Sequence, residues 1–232
     1  MTSAWSGEID IGPSWALFVG QGGETRPHAH LAHKLVVALD GTGSVDGAPA
    51  VDASAWFVPS DRQHRVLVPG PVALAFVDAG SVGIVRHETL LPVLIEAANA
   101  MRTGRTEARI DALRRLVTAL PILPDARVAR AVKLLRDAPQ AALGALAARV
   151  DLSLPRLSHL FASRLGVSPR RYRTWGALRR AVDAIATGTS LTDAAHEAGF
   201  ADAAHFSRAF VSMFGVVPST ISRTSTIRRH PS

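Results

Sequence analysis

The sequence predicts two domains: an N-terminal all-β barrel with a helical connector, then an all-α domain holding two helix-turn-helix units. Three observations predict this. Short β-prone runs separated by Gly, Pro and Asp give way near His87 to apolar residues at helical spacing. The charge is split, since residues 1–123 carry a net −2 and residues 124–232 a net +9. And a helix-turn-helix pattern occurs twice in the second half, each copy ending in Gly-Val-x-Pro. The boundaries that follow are residues 1–86 for the barrel, 87–123 for the connector, 124–222 for the helical domain and 223–232 for a flexible tail.

The remaining composition excludes several classes. The chain has 232 residues, 47% of them hydrophobic, which is enough for two folded cores. It has no cysteine, so disulfides and thiolate metal sites are excluded. Apolar runs stop well short of the ~20 residues a membrane span needs. The first ten residues, MTSAWSGEID, lack the basic and apolar regions of a signal peptide. A cytoplasmic location is therefore expected. No Ser/His/Asp nucleophile set or phosphate-binding glycine loop stands out.

In the first half, strands are expected at Trp15–Val19, Lys34–Leu39, Ala55–Val58, Arg65–Val68 and Val72–Val77. Gly41-Thr42-Gly43, Asp46-Gly47 and Pro69-Gly70-Pro71 are the turn signals between them. Four of nine histidines fall here: His28, His30, His33 and His64. On an extended segment His28 and His30, two apart, point to one face. The H-x-H pair and the run Phe57-Val58-Pro59-Ser60-Asp61-Arg62-Gln63-His64 resemble the cupin barrel, whose H-x-H meets a later P-x-G-x-x-H histidine. Two departures stand out: Asp61 replaces the usual Gly, and Lys34 or Leu35 stands near the expected glutamate. The resemblance implies an effector pocket with His28, His30, His33, His64 and Trp56 as candidate liners. It also implies a divalent-metal site at His28, His30 and His64, with His33 as a further nitrogen ligand. The missing carboxylate and the adjacent Lys34 favour a barrel without metal, so no cofactor is assigned.

The connector carries two amphipathic helices, His87–Arg102 and Thr106–Leu120, with Thr103-Gly104 between them and Pro121 to Pro124 after them. Packing on the barrel is the first use of their apolar faces, and a homodimer seam is the second.

In the second half, helices are expected at Asp125–Asp137, Leu143–Val150, Leu154–Leu165, Pro169–Thr187, Thr192–Ala198 and Ala203–Phe214. The two copies read LSLPRLSHLFASRLGVSP and FADAAHFSRAFVSMFGVVP, matching Phe161 to Phe210, Gly166 to Gly215 and Pro169 to Pro218. Between them lies a helix rich in Arg170, Arg171, Arg173, Arg179 and Arg180, able to hold two heads about one DNA turn apart, ~34 Å. Gly199-Phe200, Asp202, Phe206, Arg208, Phe210, Phe214-Gly215 and Pro218 follow the signature GF-x-D-x-x-x-F-x-R-x-F-x-x-x-FG-x-x-P. Residues 125–222 thus resemble the DNA-binding domain of the AraC/XylS family of transcription regulators.

Helix position and this resemblance imply that Pro155, Arg156, Ser158 and His159 face the groove in the first head. Ala203, Ala204, Ser207 and Arg208 do so in the second. Arg164, Arg170, Arg171 and Arg173 are expected at phosphates, which position a protein without reading bases. Ala177 stands where the family commonly has Arg. The chain is therefore expected to be a double-stranded-DNA-binding regulator, not an enzyme, that answers a small-molecule effector. The alternative is a metal-dependent cupin enzyme with a helical appendage.

Overall fold

The computed structural model of the chain describes residues 5–82, 85, 87–121, 125–220 and 225–230. Its contacts divide it into two compact units. The first takes in residues 1–78, 85–120 and 210–232, and the second residues 79–84 and 121–209.

The first unit is sheet-rich. In chain order its strands are β1 (Ser6–Ile11), β2 (Trp15–Gln21), β3 (Ala32–Ala38), β4 (Ser44–Asp46), β5 (Ala50–Asp52), β6 (Ala55–Val58), β7 (Arg65–Leu67), β8 (Pro71–Asp78) and β9 (Ser225–Arg229). Seven form one sheet in the order β5-β6-β3-β8-β2-β1-β9, while β4 and β7 pair as a separate two-stranded sheet. The five predicted strands are present, each within a few residues of its expected ends. The barrel closure is not. Among the described residues the large sheet is open, with β5 and β9 as its two edges.

Strand parity sorts the aromatic residues. Val36 and Ala38 join Phe18, Val58, Val66, Val72 and Leu74 in one apolar cluster, with Trp56 and Phe76 packed partly buried against it. Leu35, Val37 and Phe57, one position out of phase on their strands, point to the opposite face. That face is covered by α1 (His87–Thr103), which packs on β3, β5 and β6, and by α2 (Thr106–Ala119), which packs on β2 and on α1. Arg102, in the last turn of α1, donates to Asp52 Oδ1 at 2.6 Å and to Ser54 Oγ at 2.9 Å, fixing that end to the β5–β6 hairpin. The buried stripes Leu90, Leu94, Ala97, Ala98 and Met101 of α1, and Ile110, Leu113 and Leu116 of α2, are thus accounted for by internal packing.

The expected flexible tail is overturned for residues 225–230. β9 runs parallel to β1 in the register Gly7↔Ser225 through Ile11↔Arg229. Arg228 donates to both Glu8 carboxylate oxygens at 2.7 and 3.0 Å, and His230 Nε2 lies 2.7 Å from Asp10 Oδ1. The Arg228 pair is about half exposed on both sides and contributes little by itself. The backbone ladder and the packing of Ile227 on the apolar cluster hold the strand.

The second unit is helical: α3 (Ala126–Asp137), α4 (Leu143–Ala148), α5 (Leu154–Leu165), α6 (Pro169–Ala186) and α7 (Leu191–Glu197), with α8 (Ala203–Phe214) beginning in it. The caps explain the close agreement with sequence. Asp125, Ser153, Ser168 and Ser190 each accept a backbone N–H in the first turn of α3, α5, α6 and α7. Val128, Ala131, Val132, Leu146, Leu157, Phe161, Tyr172, Trp175 and Leu178 form the core, with Phe161 and Tyr172 edge to face at 6.1 Å. Residues 122–124, on which the predicted domain boundary partly falls, lie outside the described residues.

Candidate functional site

The helical half presents the same local design twice. α4 and α5 are joined by a turn in which Asp151 adopts φ +56°, and α7 and α8 by one in which Gly199 adopts φ +88°. In α5 the buried residues are Leu157, Leu160, Phe161 and Leu165. Pro155, Arg156 and His159 are therefore left exposed and Ser158 half-buried. In α8 Phe206, Phe210 and Met213 are buried, Ala203, Ala204 and Arg208 are exposed and Ser207 is half-buried. The alignment that matches Phe161 to Phe210 puts Ser158-His159 and Ser207-Arg208 at equivalent positions. Asp202 is not a partner of Arg208. It caps α8 by accepting His205 N–H at 2.6 Å.

The arginines divide. Arg164 and Arg170 are exposed, whereas Arg171 and Arg173 are half-buried. Arg173 donates to Ala141 O at 3.4 Å, holding the loop before α4. Arg180 donates to Ala198 O at 3.3 Å, and its burial lowers its pKa. Those two therefore brace the helical turns as well as adding charge.

In the sheet unit the histidine prediction is met with one exception. His28 and His64 form an antiparallel bridge, exchanging backbone hydrogen bonds of 2.9 and 3.0 Å. Ring centroids lie 4.1 Å apart for His28–His64, 4.8 Å for His30–His64 and 5.7 Å for His28–His30. All three residues are buried. The exception is His33, which stacks on Phe57 at 5.9 Å and accepts Ser60 N–H through Nδ1 at 3.2 Å, so it lies outside the cluster. Lys34, not a candidate from sequence, enters it: its Nζ is 2.6 Å from His64 Nε2 and 5.6 Å from the Phe76 ring.

Burial dominates the electrostatics here. It drives the Lys34 pKa down to about 7. Burial, then the Lys34 charge, lowers His28 to about 2 and His64 to about 3, and holds His30 well below the usual histidine range. The three rings are neutral at neutral pH.

A separate cavity of about 610 Å³ opens in the same unit. Trp5, Pro27, Val216 and Val217 supply apolar wall, and Arg26, Arg65 and Thr220 supply polar groups. Arg65 pairs with Glu24. None of the five predicted effector residues lines this cavity, and Trp56 packs on the apolar cluster instead. Its wall includes residues 215–220, far from Trp5 in sequence, so no local pattern could have marked it. The backbone links this wall to the histidine segment: Arg26 N–H donates to Gly215 O at 3.0 Å and Ala29 N–H to Ser212 O at 3.4 Å.

Residues 146–224 match the helix-turn-helix domain family. The chain is a DNA-binding regulator with an AraC-type helix-turn-helix domain. No match was found among curated proteins. Solved structures of ToxT from Vibrio cholerae are similar in fold. An apo ToxT variant aligns with a TM-score of 0.58 at 13% identity, covering 91% of this chain and 97% of that one. Wild-type ToxT bound to an unsaturated fatty acid aligns with a TM-score of 0.56 at 12% identity, covering 91% and 96%. ToxT bound to (E)-4-(8-methylnaphthalen-1-yl)but-3-enoic acid aligns at 0.54 and 11%, covering 91% and 99%. The AraC-type domain thus sits in a chain whose fold resembles ToxT along most of its length.

Proposed function

We propose that the chain is a transcription regulator that reads DNA with two helix-turn-helix units and answers a small carboxylic acid bound in its cupin-like sheet unit. The first unit is α4–α5, presenting Pro155, Arg156, Ser158 and His159 to one major groove. The second is α7–α8, presenting Ala203, Ala204, Ser207 and Arg208 to the next. Arg164, Arg170, Arg171 and Arg173 add phosphate contacts. The observation that carries the DNA reading is the repeated pattern of a capped helix with exposed residues at equivalent positions. Ala203 and Ala204 offer only methyl contacts, such as those to thymine. Arg208 therefore carries the polar readout of the second unit, and Arg208→Ala is expected to weaken operator binding by about 1–3 kcal/mol. Titration at fixed salt of DNA flanking the chain's own gene checks this, and unchanged affinity would remove Arg208 from the interface.

The effector assignment rests on the cavity. Its volume suits a small molecule. Arg26 offers an exposed guanidinium at its rim, and the structurally similar ToxT proteins hold carboxylic acids. An occupant would touch Val216, Val217 and Thr220, which directly follow α8, so its binding energy acts on the end of that helix. Arg26→Ala is expected to abolish the change in DNA affinity caused by an unsaturated fatty acid while leaving ligand-free DNA affinity within about twofold. Mobility shifts with and without the acid check it, and a full response in the variant would move the effector elsewhere.

A further inference from the structure

His28, His30 and His64 share a detail that packing alone does not require. Each Nδ1 lies close to a backbone carbonyl two residues away: His28 at 2.8 Å from Arg26 O, His30 at 2.9 Å from Ala32 O and His64 at 2.8 Å from Arg62 O. A carbonyl only accepts, so each Nδ1 carries the proton. In a neutral ring each Nε2 then carries a lone pair. Three rings fixed in one tautomer by backbone carbonyls is the outer-shell arrangement that orients metal-ligating histidines.

The available nitrogens converge, lying within 4.8 Å of one another. His30 Nε2 is buried with no hydrogen-bond partner among the described residues. An unsatisfied buried polar atom is costly, and a cation accounts for it. The donor set also selects the ion. Three neutral imidazoles with neither carboxylate nor carbonyl suit zinc, nickel or copper, and not magnesium or calcium. Tetrahedral Zn–N bonds of ~2.0–2.1 Å require the three nitrogens to draw in, which side-chain rotation can supply. The remaining group is Lys34, whose Nζ donates to His64 Nε2 at 2.6 Å and so occupies one of the three lone pairs.

We propose that His28, His30 and His64 form a three-nitrogen site for a borderline transition-metal ion, and that Lys34 plugs this site by hydrogen bonding to His64 until the ion displaces it. The lysine stands near the position where the cupin pattern has a glutamate. Here it acts as an internal competitor for metal instead of a fourth anionic ligand.

The test uses the full chain, stripped of metal by a chelator and titrated with Zn²⁺ alone against a chromophoric competitor. One ion per chain is expected in the wild type. Lys34→Met, which frees the His64 lone pair, is expected to bind Zn²⁺ at least about tenfold more tightly, the equivalent of one hydrogen bond from a charged group. His30→Ala and His64→Ala are expected to lose the site. Absence of binding in both wild type and Lys34→Met overturns the metal site, as does undiminished binding in folded histidine variants. Equal affinity in wild type and Lys34→Met overturns the plug. Should the histidine variants not fold, the comparison of wild type with Lys34→Met still decides, because misfolding does not tighten binding. The measurement involves no DNA and no effector, so its failure is distinct from a failure of the regulatory reading.

Discussion

Lys34→Met is expected to stabilise the metal-free protein by about 2–3 kcal/mol at pH 7, an advantage that shrinks to near zero by pH 10. The cause is the cost of burying an amine. Lys34 is only 2% exposed, and burial lowers its pKa from 10.5 to about 7. Between those two values the unfolded chain binds a proton that the native state does not. Native stability therefore rises as pH increases from 7 to 10.5 and is lowest below pH 7, where the buried amine must carry charge. At ~1.4 kcal/mol per unit, the ionisation penalty at pH 7 is about 4 kcal/mol. Methionine fills a similar volume without a charge. Against that gain, His64 Nε2 loses its donor, at about 1–2 kcal/mol. Urea denaturation in chelator at pH 7 and pH 10 measures both ends. A variant less stable than wild type at pH 7 would show that the Lys34–His64 contact outweighs the burial of the amine.

Gly215→Ala is expected to cost at least about 3 kcal/mol, whereas Gly166→Ala costs about 1 kcal/mol. The two glycines hold matching places after α8 and α5, and both have positive φ, +71° and +74°. They share the conformational penalty of a left-handed alanine but differ in surroundings. A Cβ on Gly166 meets nothing within 4 Å. One on Gly215 meets Arg26 O at 2.6 Å, His28 Nδ1 at 2.7 Å and Thr25 Cβ at 2.8 Å. Two of those neighbours are fixed: Arg26 O accepts from His28 Nδ1, and Thr25 N–H donates to Val66 O. The chain cannot yield without breaking this network. Thermal or urea unfolding of the paired variants isolates the steric contribution, and equal losses would mean that the segment after α8 moves aside freely.

The helices were legible because their signals are local. Ser153 caps α5 and Gly166 ends it, and both lie within a few residues of the turns they control. The repeat then supplied a second reading of the same pattern. In the sheet unit β3, β6 and β8 were legible as continuous apolar runs, since both of their faces are covered. β1 was not, because its Glu8 and Asp10 look like surface loop. Asp10 is in fact buried, and its partner is His230. β9 was hidden by the same long-range logic: Arg228-Arg229 reads as a basic tail until Glu8 is known to lie beside it. The histidine triad was visible as a motif. The orientation of its rings was not, because it depends on the carbonyls of Arg26, Ala32 and Arg62.

The pairing of β9 with β1 also bears on how the molecule is made. Strand β1 leaves the ribosome early, but its outer edge waits for residues 225–229, which are translated last. Throughout synthesis that edge offers unpaired backbone groups to any other strand, including those of nascent neighbours. The loop that must close is long, although its entropic cost grows only logarithmically with length. Completion of the sheet is thus a post-synthetic event of high contact order and belongs among the slower steps of folding. Between release and docking, the exposed edge of β1 is the chain's window for aggregation.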